Sequence, residues 1–230
     1  MLIPILYRTD RFLICEKPRG LLSESPGLPD QLSLQENGRT LYPVHRLDQG
    51  TGGVMLLAFD PKTCSALQQL WSAASVTKEY LAVIPFWTGE SEGIFQDLLF
   101  HDRYKNKSYV VQRSRKGVKP AECFWEHLQS VQTEVGSLSL MKIRLHTGRT
   151  HQLRLHMAYT GTPISGDGLY GDGFDAGMHH IDMRNAAFPT MPLAKLLFLR
   201  FDSPALKFFD RPVICLRHLW CTDQAWPHHI

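Results

Sequence analysis

Residues 45–59 constrain this chain more than any other stretch. His45-Arg46-Leu47-Asp48 sets one carboxylate beside two basic side chains. Gln49-Gly50-Thr51-Gly52-Gly53 then allows a sharp reversal, and Val54-Met55-Leu56-Leu57-Ala58-Phe59 is an uninterrupted apolar run. Six apolar residues between glycines and Asp60-Pro61 suit a strand covered on both faces. Such a strand needs a sheet around it and layers above and below. Asp60-Pro61 supplies an N-cap and a first-turn proline, so a helix follows and reaches about Ala74, with Leu67, Leu70 and Trp71 on its inner side. Asp48 therefore lies on a glycine-rich loop that leads directly into the core. A lone aspartate among cations stays ionised and can attack an electron-poor carbon. The same tetrapeptide alone would also suit a surface ion-pair loop.

The remaining pattern is mostly short and alternating. Residues 3–7, 12–16, 77–84, 108–112, 122–128, 137–145 and 196–201 read as strands, and 23–40, rich in Ser, Pro, Gly, Asp and Asn, as an irregular loop. Within 77–84, Lys78, Tyr80, Ala82 and Ile84 share one face. A phase slip between Leu140 and Met141 predicts a bulge. Thr147-Gly148-Arg149-Thr150 turns the chain into a helix of about ten residues with Leu153 and Met157 as its seam; Gly161 and Pro163 end it. Strands outnumber helices and come in runs. The expected fold class is α+β, a large mixed, mostly antiparallel sheet flanked by helices and loops, in one domain over 1–230.

Composition narrows the setting. The 230 residues are 43% hydrophobic and 20% charged, ordinary values for a globular protein. No apolar run nears the roughly 20 residues that span a bilayer, and the N-terminus lacks a signal-peptide pattern. The five cysteines are odd in number and scattered, with no Cys-x-x-Cys spacing, so neither disulfides nor a zinc site is expected. A monomeric, cytoplasmic protein is the expectation. Net charge is only +3, but it is uneven. Residues 101–120 carry Arg103, Lys105, Lys107, Arg113, Arg115, Lys116 and Lys119 against Asp102 alone. Residues 142–156 add Lys142, Arg144, Arg149 and Arg154 with no acid. A polyanion partner calls for such a directed surface, though a solvated hairpin tip and helix face would give the same composition.

Two further segments share the logic of the first. In Lys78-Glu79-Tyr80, strand geometry sends Lys78 and Tyr80 to one face, where a tyrosine can stack on a planar base. Leu145-His146-Thr147-Gly148-Arg149-Thr150-His151-Gln152-Leu153-Arg154 crowds polar groups at a strand-to-helix junction, where free backbone N–H groups favour anions. Arg154, one position past the seam, needs a carboxylate partner if it points inward, and Asp48 is the candidate.

In order and rough spacing, His45-Arg46-Leu47-Asp48, Lys78-Glu79-Tyr80 and Thr147-Gly148-Arg149-Thr150-His151-Gln152-Leu153-Arg154 resemble the RluA-type pseudouridine synthases. Glu16-Lys17-Pro18-Arg19-Gly20-Leu21 resembles that family's Asn-Lys-Pro-x-Gly segment. Gly161-Thr162-Pro163-Ile164-Ser165-Gly166-Asp167-Gly168-Leu169-Tyr170-Gly171 resembles its Gly-x-Pro-Ile-x-Gly-Asp-x-x-Tyr-Gly stretch. The resemblance implies isomerisation of uridine in structured rRNA or tRNA to pseudouridine, without cofactor or metal. By position it implies that Asp48 is the catalytic carboxylate, Tyr80 the aromatic stacked on the target base, and Arg154 the arginine paired with the aspartate, with Arg149 the other candidate for that pairing. Arg46 would fill the space left by the flipped-out nucleotide. His45, Lys78, Arg149, Thr150, His151 and Gln152 are the further candidate RNA contacts.

Two positions depart from the family pattern. Thr51-Gly52-Gly53 stands where Thr-Ser-Gly is usual, and Gln49 where a basic residue is frequent. No accessory RNA-binding domain is expected ahead of the catalytic region, so recognition would fall to segments such as 101–120. Two other classes compete. A metal-dependent hydrolase could use His45, His146, His151, His156 and Asp48, but His151 and His156 are five apart and face different ways on a helix. A non-catalytic RNA-binding module of the same fold is the other alternative.

Overall fold

Residues 54–58 of the apolar run lie in a strand of which every residue, Gly52–Ala58, is buried, and buried Phe59 follows it. The computed structural model describes residues 1–72, 76–133 and 136–171, and the backbone of 181–187. The chain divides into two units, the second beginning at Lys78.

In the first unit the strands are β1 (Ile5–Arg8), β2 (Phe12–Lys17), β3 (Tyr42–Pro43) and β4 (Gly52–Ala58), with helices α1 (Leu28–Gln35) and α2 (Pro61–Ser72). β2 runs antiparallel to β4 from Phe12 opposite Ala58 to Lys17 opposite Gly53. β1 pairs with β2, and β3 pairs with β4. The cap foreseen for α2 is present: Asp60 accepts bonds from the Thr63 amide at 2.8 Å and the Thr63 hydroxyl at 2.7 Å. Cys64 and Leu67 of α2 pack on Phe12, Ile14, Val54 and Leu56, with Leu70 and Trp71 at the margin.

The irregular loop expected over 23–40 contains a helix instead. Asp30 accepts from the Gly27 amide at 2.7 Å and the Ser25 hydroxyl at 2.8 Å, which stabilises the start of α1. Leu28 and Leu32 are wholly buried, and the Gln35 amide exchanges two bonds with the Ile3 backbone. Each buried leucine contributes about 1.5–3 kcal/mol, which outweighs the loop-like composition around it.

The second unit holds β5 (Thr77–Pro85, from Lys78 on), β6 (Glu92–Asp102), β7 (Lys107–Val111), β8 (Val118–Thr133) and β9 (Gly136–Leu145), with helix α3 (Gln152–Tyr159). The strands lie in the order β5–β9–β8–β6–β7, every pairing antiparallel. Leu153 and Met157, the foreseen seam of α3, pack on Ala82, Ile84, Cys123, Trp125, Met141 and Ile143. Gly161, at φ 81°, closes the helix. With three helices against antiparallel sheet among the described residues, the fold is α+β, as the patterning predicts.

Some details differ from the expectation. β6 escapes the sequence pattern because its first half, residues 92–96, alternates only between exposed and half-buried and no apolar face continues into Asp97, although Leu99 further on is buried. The bulge falls on β8 rather than β9: His127 faces Met141 and Gln129 faces Leu140, leaving Leu128 unpaired. The slip in β9 has another cause, since residues 138–141 are buried on both faces. A tenth strand, β10 (Ile181–Ala187), was also unforeseen. The strand expected at 196–201, and Cys215 and Cys221, lie outside the described residues. Cys15, Cys64 and Cys123 are buried free thiols. No helix among the described residues is long and apolar enough to cross a membrane.

Candidate active site

The candidate residues fall into two groups, one in each unit. The first group is organised by Lys17, whose side chain is wholly buried at the end of β2. Its ammonium donates to the carbonyls of Leu21 at 2.7 Å, Pro18 at 3.0 Å and Gln49 at 3.4 Å. The Gln49 carbonyl also accepts from the Gly20 amide at 2.9 Å, and the Gln49 side chain returns a bond to the Gly20 carbonyl at 3.0 Å. Gln49, a departure from the family pattern, thus ties the Asp48 loop to the 18–21 turn. Buried Ser23 accepts from the Leu47 amide at 2.9 Å and donates to the Leu47 carbonyl at 2.7 Å. The Thr51 amide donates to the Asp48 carbonyl at 2.9 Å. Asp48, half-buried, is held on both sides by loop bonds. Gly53 needs its glycine, at φ 120°. Gly52, the other departure, lies buried at the start of β4.

The neighbours of Asp48 take different positions. The His45 ring stacks on Trp71 with centroids 3.7 Å apart, and its Nε2 accepts from the Leu56 amide at 3.3 Å. A neutral imidazole so placed carries its proton on Nδ1. Arg46 is exposed and reaches Glu24 at 3.1 Å.

In the second group, β5 and β9 place Glu79 opposite Arg144, and the buried Glu79 carboxylate takes that guanidinium at 2.8 Å. This cross-strand pair occupies one face and leaves Lys78 and Tyr80 on the other, as the alternation predicts. Tyr80 is half-buried against the core that includes Leu153. Burial lowers the Lys78 pKa from the ordinary lysine range.

The loop between β9 and α3 is built around Gln152, which is buried. Its side-chain carbonyl accepts from the Thr147 hydroxyl at 2.9 Å and the Arg149 amide at 3.0 Å, and its amide donates to the Glu122 carbonyl at 3.1 Å. Arg149 donates to the Pro120 carbonyl at 2.8 Å, and Thr150 is exposed. His151, buried, sits before α3 in the left-handed region at φ 57°, with Nδ1 2.9 Å from the Tyr170 hydroxyl. His146 pairs closely with Glu122, which lowers that carboxyl's pKa. A groove of about 520 Å³ over β6, β7 and β8 includes Asp97 and Glu122, a poor setting for phosphate.

Arg154 meets a carboxylate the spacing did not single out. Its Nε donates to Asp167 Oδ2 at 2.7 Å and one terminal nitrogen to Oδ1 at 2.8 Å. Burial pushes the Asp167 pKa upward, but the guanidinium outweighs it and holds the carboxyl below its usual range. The sequence signal was the Gly-Asp-x-x-Tyr-Gly block alone, since no spacing rule links positions 154 and 167. Below α3, Cys123 Sγ lies 3.2 Å from His156 Nδ1, and His156 Nε2 lies 3.5 Å from Asp97. This cluster has the composition of a nucleophilic triad, but burial pushes the Cys123 thiol up to about 12 and depresses His156. A protonated thiol with no exposed surface is core packing, not a nucleophile.

An α+β protein with a braced carboxylate loop and a cation-rich second half has the makings of an enzyme that acts on a polyanion. A solved structure titled "Human RNA Pseudouridylate Synthase Domain Containing 1" shares the fold, with a TM-score of 0.70 at 24% identity over 82% of this chain and 79% of that one. Residues 11–159 match the family model described as RNA pseudouridylate synthase. Ribosomal large subunit pseudouridine synthase D of Borreliella burgdorferi is 28% identical over 96% of this chain and 70% of its own length. tRNA pseudouridine synthase C of Haemophilus ducreyi is 30% identical over 75% of each. The chain belongs to the RNA pseudouridylate synthase family, in its RluA-type branch.

Proposed function

We propose that this RNA pseudouridine synthase isomerises particular uridines in structured rRNA or tRNA, with Asp48 as its catalytic carboxylate. The uracil must leave C1′, turn, and reattach through C5, where a proton is then lost. Leaving group and acceptor stay in one pocket, so a single carboxylate, a guanidinium and a stacking ring suffice. Asp48 attacks or takes a proton, Arg154 stabilises it as the anion, and Tyr80 stacks on the extruded base. Arg46 enters the gap left in the RNA; its exposure and its weak surface pairing with Glu24 suit a side chain that must swing away. Lys78, Arg149 and Thr150 contact the RNA directly. His45, His151 and Gln152 serve it by shaping the loops that carry these residues. The enzyme acts as a cytoplasmic monomer.

The observation that carries this reading is the bracing of the Asp48 loop by a fully buried lysine within the stretch that matches the family. A fixed carboxylate loses little entropy on reaching the reactive geometry. The test is release of tritium from C5-labelled uridine in cellular tRNA and ribosomal RNA. Wild type should release label and Asp48→Ala should release none above background. Equal release from both proteins, or RNA binding by wild type without release, sinks the reading.

A further inference from the structure

The arginine assigned to the catalytic carboxylate is itself clamped. Asp167 meets Arg154 fork to fork through Nε and one terminal nitrogen, the strongest geometry available to such a pair. The carboxylate is fixed before it meets the arginine. Its Oδ1 also accepts from the amides of Leu169 at 3.0 Å and Tyr170 at 3.2 Å, and the Gly171 amide closes the turn on the Asp167 carbonyl at 2.8 Å. A β-carbon at position 171 would come within 2.6 Å of that carbonyl, so the turn requires glycine there. The Tyr170 ring lies 5.2 Å from the guanidinium carbon, and its hydroxyl accepts from the Ser108 amide at 2.6 Å.

We propose that Asp167 is a positioning residue for the isomerisation: it grips one edge of the Arg154 guanidinium, so that the other edge is presented in a single orientation to the carboxylate Arg154 serves. This rests on the role given to Arg154 above. Two physical effects follow. A long side chain loses considerable rotamer freedom when ordered, and Asp167 removes that freedom before RNA arrives. A guanidinium shared between two carboxylates also attracts each less than an unshared one, leaving the reacting carboxylate ionised but less tightly held.

Asp167→Asn tests this selectively. The asparagine oxygen can keep the bonds to Leu169, Tyr170 and the arginine terminal nitrogen, while its NH2 group faces the Arg154 Nε–H and breaks that hydrogen bond. The expected result is a fall in kcat for tritium release on the order of ten- to a hundredfold, with KM for RNA within about twofold of wild type. In an Arg154→Lys background the same substitution should cause little further loss. An equal loss in both backgrounds, or a loss in KM alone, overturns the proposal. Should Asp167→Asn not fold, the Arg154 Nε–H resonance of wild type, assigned with Arg154→Lys, decides: protection from solvent exchange supports the clamp, and rapid exchange overturns it. An inactive wild type would instead count against the proposed function, which separates the two failures.

Discussion

Lys17 is a cation with no exposed surface, and three carbonyls take the place of water around its ammonium. Lys17→Met keeps the volume but takes one donor from each of those carbonyls, leaving the Gln49 carbonyl only the Gly20 amide. The expected cost is about 2–5 kcal/mol, read as a lower urea midpoint. Because one of the carbonyls belongs to Gln49, beside Asp48, tritium release should also fall at temperatures where the variant stays folded. Unchanged activity in folded Lys17→Met would mean that the Asp48 loop does not depend on this brace. Single side chains also carried the clearest sequence signals. The Asp60 cap and the opposite facing of Glu79 and Tyr80 were legible because each depends only on neighbours within a few positions.

Helix α3 shows how an element ties a site to the core. Leu153 and Met157 face the sheet, and on the same helix Arg154 turns to Asp167 and His156 is buried against Cys123, Asp97 and the Phe95 ring. Burial holds the His156 pKa below its ordinary range, against a smaller opposing pull from Asp97. The unfolded chain takes up a proton as pH falls through about 6.5 while the folded chain does not. This part of the stability is therefore intact above pH 6.5 and is lost on acidification until the folded pKa is reached, with a slope of at most about 1.4 kcal/mol per pH unit. Urea denaturation from pH 7.5 to 5 should show that decline in wild type and a shallower one in His156→Gln. Parallel declines would remove His156 as its source. Asp167, whose folded pKa is also lowered, contributes stability that is present above about pH 4 and fades only below it.

The charge of the molecule is local rather than global. The formal net charge is +3, yet seven basic residues fall within 101–120, the segment that holds β7 and the turns on either side of it. Lys107 is turned inward to the Leu169 carbonyl at 2.9 Å, while Arg103, Lys105, Arg113, Lys116 and Lys119 are exposed. If RNA lies along this hairpin, affinity should fall linearly with the logarithm of salt concentration. Replacing Arg113, Lys116 and Lys119 by alanine should lower that slope by roughly 0.7–0.9 for each phosphate that is no longer neutralised. Filter binding to a folded tRNA or ribosomal RNA fragment at several salt concentrations measures it. A variant slope equal to that of wild type would place the RNA elsewhere.

Periodicity and capping were enough to foresee β4, α2, β5, the seam of α3 and the α+β class, because each expresses contacts within one element. The ordered blocks around Asp48, Tyr80 and Arg154 likewise pointed to the family from residue order alone. Helix α1 within a loop-like composition, the unpaired Leu128 on β8, the caging of Lys17 and the pairing of Arg154 with Asp167 were settled only by the folded chain. In each of these, the deciding energy comes from groups that local periodicity does not relate: two leucines sealed in the core, a strand register, carbonyls from two separate turns, and a carboxylate thirteen positions away.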